Sequence, residues 1–582
     1  MKKIILKDYG IIPGTDCTEQ LAALFSEHSS DTEFVFEGGD YHFSPKIKRS
    51  LMLSNTDVIP ERKLGILLEN MKNIRLTGDH AGGTRLLFEG QMQAFTMLGC
   101  EDITVSGFTV DWEKPLVAEG IVTAYDADSV ELFISPDAFP HRVTDGVIAF
   151  DVGNGEFYPM GIHGQMQYDG NTRTVRRANG DRFRLGRLIE EKPGSVYRFE
   201  AKNQDTAIGN IIVIRHNDRQ HAGIFTEKCR RITIDHVTVH SCGGLGCLAQ
   251  FCEDLTYRRV NFTPNIAAGR KVSNGRDDGM HITCCSGTVT ITECTFVGLM
   301  DDPINVHGCC VTADEWIDRR TVRCRYMHHQ ACGFDYWAEA GDEIAFIERQ
   351  GMTKISGAEA VSYELESHDT FILRFRDNID PAVLSLDPKT VALDNLTHTA
   401  SFVCTKNRFG SCRARGILVS TPKPVLIADN LFQSSGSAIL VAGDSNYWFE
   451  SGECHDVEIC GNIFTDTCLS SMYQFCEGMI SICPVVPVPD INAPYHKNIR
   501  IHDNTFDSPD TPVLYGFSTD GLKFTDNRIF RSTAAEKWHP GGYMINLSCC
   551  RNVNISGNLV IGDFTLGTIH EENCTDIRTD MR

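Results

Sequence analysis

Apolar side chains recur along this chain at offsets 0, 2, 5 and 7 from a series of starting points. The frame begins at Ile103, Ile232, Leu255, Val289, Val425, Val457, Ile499, Leu522 and Val553. In the first copy it reads Ile103, Val105, Phe108, Val110; in the sixth, Val457, Ile459, Asn462, Phe464. Offsets 0 and 2 follow strand alternation, and the phase break before offset 5 predicts a corner into a second strand. The shortest intervals, 23 residues from Ile232 to Leu255 and from Ile499 to Leu522, suit one coil of a parallel β-solenoid.

The frame fails twice, over 129 residues between Ile103 and Ile232 and over 136 between Val289 and Val425. Each gap predicts an inserted domain of short alternating strands and turn dipeptides, a small β-barrel or sandwich. The expected organisation is therefore a cap and first coils over 1–112, an insert over 113–209, coils over 210–310, a second insert over 311–405 and C-terminal coils over 406–582. Both inserts leave near the coils that carry the acidic pairs described below, so both could wall a cleft. A short amphipathic helix over 16–27, capped by Asp16 or Thr18, and strands over 33–36 and 65–68 fit the cap that the first coil needs.

In the C-terminal half, offset 5 becomes asparagine: Asn430, Asn462, Asn504, Asn527 and Asn558. Asparagine tolerates left-handed backbone at a corner and can hydrogen-bond its copy in the next coil, so these residues read as a structural ladder. Cys100, Cys229, Cys252, Cys454 and Cys550 each stand three residues before a first apolar position. They read as stacked, buried thiols. An odd total of 23 cysteines without paired C-x-x-C motifs supports a reduced compartment.

Composition narrows the partners. A net charge of −22 argues against nucleic acid or an anionic membrane, and mildly against a polyanionic substrate. A neutral sugar fits better. No apolar run approaches the roughly 20 residues that cross a bilayer. The start Met1-Lys2-Lys3-Ile4-Ile5-Leu6-Lys7 ends its apolar stretch too early for a signal peptide, so a cytoplasmic location is expected for the chain as given, or a periplasmic or secreted one had a leader been removed. A homodimer is compatible with the sequence.

Chemistry concentrates in two acidic pairs, Asp277-Asp278 and Asp301-Asp302, with 23 residues from Asp278 to Asp301. On neighbouring coils the pairs lie about 4.8 Å apart along the axis. Asp-Asp-Gly alone is turn composition. Two stacked pairs, each followed by a histidine (His281, His307), predict mutual repulsion that keeps some carboxyls protonated. One protonated acid beside one ionised base is the requirement of glycoside hydrolysis. Calcium binding is the alternative use of the same four carboxylates.

Asp8-Tyr9-Gly10 and the repeat frame resemble the pectin-lyase-like right-handed β-helix superfamily, and the Asp pairs resemble those of polygalacturonases. Two features depart from polygalacturonases. Arg276-Asp277-Asp278 stands where Asn-Thr-Asp is usual, and His307 follows Asp302 by only five residues. The strings at 111–116, 277–281, 301–308 and 413–418 more closely resemble glycoside hydrolase family 110. That resemblance implies an all-β, right-handed parallel β-helix interrupted by two inserted β-barrel or sandwich domains. It further implies an exo-acting, inverting α-1,3-galactosidase acting on blood-group-B-type or linear Galα1-3Gal glycans, with no metal or other cofactor. Asp301 and Asp278 would hold the attacking water and Asp302 would protonate the leaving oxygen, with the split among the three open. Asp277 reads as the more structural member. Arg413, Arg415 and His307 are candidates for holding carboxylates or sugar hydroxyls, and Trp112, Tyr447 and Trp448 for stacking on a sugar ring, against ordinary packing for each. The rival readings are a calcium-dependent polysaccharide lyase or epimerase and a non-catalytic glycan-binding β-helix.

Overall fold

The computed structural model describes residues 1–161, 165–332, 334–537 and 539–581. Its body is a right-handed parallel β-helix made of a 23-stranded sheet and a 14-stranded sheet. The apolar frame fixes the coil-to-coil register. Ile103 lies opposite Ile232, Ile232 opposite Leu255, Leu255 opposite Val289, and Val425, Val457 and Ile499 continue the ladder. Frame positions face inward and form one continuous core. At offset 7 that core is a column of stacked rings, from Phe262 through Phe296, Phe409, Phe432 and Phe464 to Phe506.

The ladder also has a rung that the sequence reading missed. Strand Ser401–Thr405 pairs Phe402 with Val289 on one side and with Val425 on the other. Its frame is Phe402, Cys404, Asn407, Phe409, whose opening pair lacks the aliphatic residues of the other copies. The second insert therefore ends before this strand rather than at Thr405. In the first insert, strand Ile211–Arg215 pairs with Val117–Tyr125 and Met166–Tyr168 inside the insert's own sheet. The return to the β-helix thus comes after that strand and not at Gly209.

The two inserts differ in architecture. The first packs a six-stranded antiparallel sheet and a three-stranded meander around a shared core that includes Leu132, Phe150 and Phe199. The second is a closed six-stranded barrel running from Val311–Asp318 to Val391–Asn395. It keeps its own apolar interior and docks on the β-helix through Trp337, whose indole N–H donates to the Cys309 carbonyl at 2.9 Å.

The predicted cap helix is Thr18–Glu27, which buries Leu21, Leu24 and Phe25 over the first coil, and Asp16 accepts from the Thr18 N–H at 3.0 Å. The asparagine ladder is present and begins one rung earlier, at Asn407. Each side-chain amide donates to the next carboxamide oxygen at 3.0 Å, from Asn407 through Asn430, Asn462, Asn504 and Asn527 to Asn558. Left-handed backbone belongs to the residue before each asparagine (Lys406, Asp429, Gly461, Asp503, Asp526, Gly557), which corrects the expected reason for the asparagine. Its value is the buried ladder itself. All 23 cysteines are free, and the Cys229 thiol accepts from the Cys100 N–H at 3.3 Å in the stack the spacing predicts.

Candidate active site

A cavity of about 270 Å³ lies against the outward face of the 14-stranded sheet. Strand alternation builds its floor. In Met280–Thr283 and Ile304–Cys309, the side chains of Met280, Ile282, Ile304 and Val306 enter the core, so His281, Asn305 and His307 face the opposite way. Met280 pairs with Ile304, a register of 24 residues, so Asp277 is level with Asp301 and Asp278 with Asp302. The 23-residue interval expected from sequence was one residue short. Ile304 pairs in turn with Ile417, which sets Arg415 level with Asp302 one coil further on. Coils approach closely here. A Cβ at Gly279 would stand 2.6 Å from the Pro303 carbonyl oxygen, so glycine is required after Asp278.

The inserts tie this coil down. Glu119, from the first insert, accepts from the backbone N–H groups of Lys271, Val272 and Ser273 and from the Ser273 hydroxyl, at 2.7–3.0 Å. That contact fixes the segment leading into Asp277-Asp278. The same insert lends the cavity Asp181, from the short turn Gly180–Arg182. The second insert contributes support and not lining among the described residues. His328 packs against Trp448 with ring centroids 4.8 Å apart, and the Gln330 carbonyl accepts from the Asn55 N–H at 2.6 Å.

Arginines divide the four aspartates into different charge states. Asp277 is fully buried and lies outside the cavity lining. Arg219 (2.9 Å) and Arg276 (2.8 Å) donate to it. Burial opposes its ionisation, and those two guanidiniums outweigh it, holding the carboxyl well below the usual range. Asp301 is treated alike. Arg413 Nη1 donates at 2.8 Å and Arg219 Nη2 at 3.1 Å, and with Arg415 they overcome burial and keep it a carboxylate.

Asp302 goes the other way. Burial pushes its pKa up to about 8, against the Arg415 guanidinium at 2.8 Å and the Arg415 N–H, with Asp301 and Asp278 adding repulsion. Asp278 is raised well above the usual carboxylate range by burial and then by Asp301; its Oδ2 lies 2.7 Å from His281 Nδ1. The site thus holds an ionised Asp301 beside Asp302, which keeps its proton to about pH 8, and Asp278, which burial also biases toward the protonated form.

Relatives of known name align over nearly the whole chain. An α-1,3-galactosidase B of Bacteroides thetaiotaomicron is 36% identical over 98% of this chain and 92% of its own length. One from Bacteroides fragilis is 32% identical over 90% of this chain and 89% of its own. Residues 321–387 match the family model of the GLAA-B β-barrel domain II.

The chain belongs to the α-1,3-galactosidase family of glycoside hydrolases.

Among solved structures, the A-module of the mannuronan C-5 epimerase AlgE6 of Azotobacter vinelandii is 12% identical with a TM-score of 0.39, covering 96% of this chain and 99% of that one. A family 28 exopolygalacturonase of Yersinia enterocolitica is 11% identical with a TM-score of 0.38, covering 99% and 78%. Neither likeness is close enough for chemistry to be carried over.

In this α-1,3-galactosidase family member, Asp278, Asp301, Asp302, Arg413, Arg415 and Trp448 line one cavity. His307 is buried directly behind it, 2.8 Å from His281. Trp112 is elsewhere. Its ring is fully buried against Phe88 and its N–H donates to the Gly90 carbonyl, so it is a core residue and the sugar-stacking expectation is withdrawn. Tyr447 is exposed beside Trp448, edge to ring, and does not line the cavity. Asp444 fixes that corner by accepting from the N–H groups of Asn446, Tyr447 and Trp448.

Sequence reasoning missed Asn55, Asp181, Arg219, His281 as a working group, Asn305 and Glu450. Glu450 accepts from the side-chain amides of Asn55 and Asn305, both at 3.3 Å, and its Oε1 lies 3.6 Å from His307 Nε2. Burial opposes its ionisation, while His307, His281 and the Asn305 amide together bring its pKa below the usual glutamate range. Ligand-type atoms of His281, His307 and Glu450 lie within 4.8 Å of one another. The two imidazole nitrogens are turned on each other at 2.8 Å. Two nitrogens bound tetrahedrally to one zinc ion at 2.0–2.1 Å would stand about 3.3 Å apart, so the observed contact is that of a hydrogen bond.

Proposed function

We propose that the protein removes terminal α-1,3-linked galactose from blood-group-B-type or linear Galα1-3Gal glycans by a single inverting displacement. The reading is carried by one observation: an ionised carboxylate, Asp301, adjoins a carboxyl that stays protonated up to about pH 8, Asp302. Asp302 protonates the glycosidic oxygen as the bond to the anomeric carbon breaks. Asp278 and Asp301 hold the water that attacks from the other face, and one of them takes its proton.

The walls support a small neutral sugar. Leu418 and Leu440 continue the sheet face beyond Asn305, and with Ala442, Val485 and Trp448 they add apolar lining beside the polar groups, a mixture that suits a pyranose ring. The volume lies near the lower end of the roughly 300–1,000 Å³ usual for ligand pockets, which suits one terminal residue and exo action.

Turnover of Galα1-3Gal followed by proton NMR tests the reading. β-Galactose formed first, at a rate unchanged by chelator, is the expected result. α-Galactose as first product would refute inversion, and no release from linear or fucosylated substrate would refute the activity.

A further inference from the structure

Asp278 begins a line of three hydrogen bonds that leads away from the cavity. Asp278 Oδ2 meets His281 Nδ1 at 2.7 Å, His281 Nε2 meets His307 Nε2 at 2.8 Å, and His307 Nδ1 meets the Gly308 carbonyl oxygen at 2.6 Å. A carbonyl only accepts, so His307 Nδ1 carries a hydrogen. Burial favours neutral rings at both positions, most strongly at His281, whose pKa is brought down to about 4. A neutral His307 then presents a bare Nε2, and His281 Nε2 must supply the hydrogen between them.

One hydrogen remains, in the contact between Asp278 and His281, and it can rest on either partner without breaking another bond. On oxygen, Asp278 is a neutral acid and His281 a neutral ring. On nitrogen, Asp278 is a carboxylate and His281 an imidazolium. The charged and titratable groups acting on His281 are Asp278, His307, Glu450, Arg219 and Asp301; those acting on His307 are Glu450, His281 and Asp278. Glu450 is the carboxylate placed to balance positive charge on the imidazole pair.

We propose that His281, oriented by His307, is a positioning residue that switches Asp278 between acid and base by holding its proton. This rests on the hydrolytic reading above. In the step, His281 Nδ1 takes the Asp278 proton and Asp278 becomes a carboxylate. Water loses a proton to Asp278 as its oxygen bonds to the anomeric carbon, and Asp302 gives its proton to the departing sugar oxygen. The cycle closes when His281 and Asp278 release to solvent the proton that Asp302 regains. Asp301, clasped by Arg413 and Arg219, orients the water throughout.

The test uses the full chain with ¹⁵N-labelled histidine, recording ring-nitrogen correlations from pH 5 to 9, with His281→Gln and His307→Gln serving for assignment. The expected result is His307 in its Nδ1–H form and a His281 Nδ1 signal that changes on Asp278→Asn. His307 found as the Nε2–H form, or a His281 signal indifferent to Asp278→Asn, would overturn the proposal. In kinetics, His281→Gln should lower kcat by about 100-fold, the scale of acid–base assistance, with KM within about threefold, and should move the acidic limb of the pH profile while the basic limb stays. A fall in kcat with both limbs unmoved would also overturn it. Absence of turnover on every α-galactoside would refute the hydrolytic reading alone, because the NMR result does not depend on it.

Discussion

Asp302 is held by Arg415 at 2.8 Å, whereas Asp278, level with it one coil earlier, is held by His281 at 2.7 Å. Two chemically identical carboxyls at one solenoid phase thus answer to different partners. A guanidinium keeps its proton, so it can only bias the charge of Asp302. An imidazole can exchange a proton with Asp278. In the proposed reaction, the asymmetry between acid side and water side arises from this difference in neighbours.

As the proposed acid, Asp302 is expected to set the alkaline limit of activity. Its raised pKa means the acid form is present at low pH and is lost as pH rises through about 8. kcat/KM should therefore fall tenfold per pH unit above that point. Asp302→Asn should lower kcat by about 10²–10⁴-fold on a disaccharide. The loss should be far smaller on a nitrophenyl α-galactoside, whose leaving group needs no proton. Equal losses on both substrates would show that Asp302 is not the acid.

Asp181 works through Arg413. Its two oxygens accept from Arg413 Nε and Nη2, both at 2.7 Å, which leaves Nη1 aimed at Asp301. Asp181→Ala should free the guanidinium and cost about 10–100-fold in kcat, since displacements near 1 Å have that effect. The melting temperature should barely change, because the Asp181 side chain is 42% exposed. Arg413→Lys, which restores charge without the fork, should not recover the activity.

Glu119 anchors the site coil from a distance. Glu119→Ala removes the carboxylate to which the backbone N–H groups of Lys271, Val272 and Ser273 donate. Donors left without acceptors cost about 1–3 kcal/mol in total. A lower denaturation midpoint together with reduced kcat is expected. Stability lost with activity intact would mean that the 271–273 segment does not position Asp278.

The β-helix was legible because each coil repeats the same packing problem, so Ile103 to Val553 solve it with the same residue types at the same offsets. The phase of the acidic pairs was misread by one residue because the 14-stranded sheet, and not the apolar frame, sets their register. Asp181, Asn55 and Glu450 obey no repeat. They reach the cavity from an insert turn, an N-terminal loop and a strand that crosses Gly308–Cys309 in the antiparallel sense, and periodicity cannot place such residues. Trp112 misled for the opposite reason. It lies within a string that resembles the family, yet its ring packs in the core next to the buried Asp111–Arg270 ion pair.

The asparagine ladder tests whether stability and catalysis are separable in this fold. Asn462 donates to the Ile427 carbonyl at 2.9 Å and to Asn504, and its side-chain oxygen accepts from both the backbone and the amide of Asn430. It is almost fully buried and lies outside the cavity lining. Asn462→Ala deletes four hydrogen bonds and strands donors on Asn430, so a loss of about 2–4 kcal/mol is expected. Asn462→Asp should be at least as damaging, because a buried carboxylate would face the Ile427 carbonyl and the Asn504 oxygen where an amide had donated. KM and the pH profile should stay at their wild-type values in whatever fraction folds. A shifted pH profile in either variant would show that the C-terminal coils transmit strain to Asp302, and would end the division of this chain into scaffold and site.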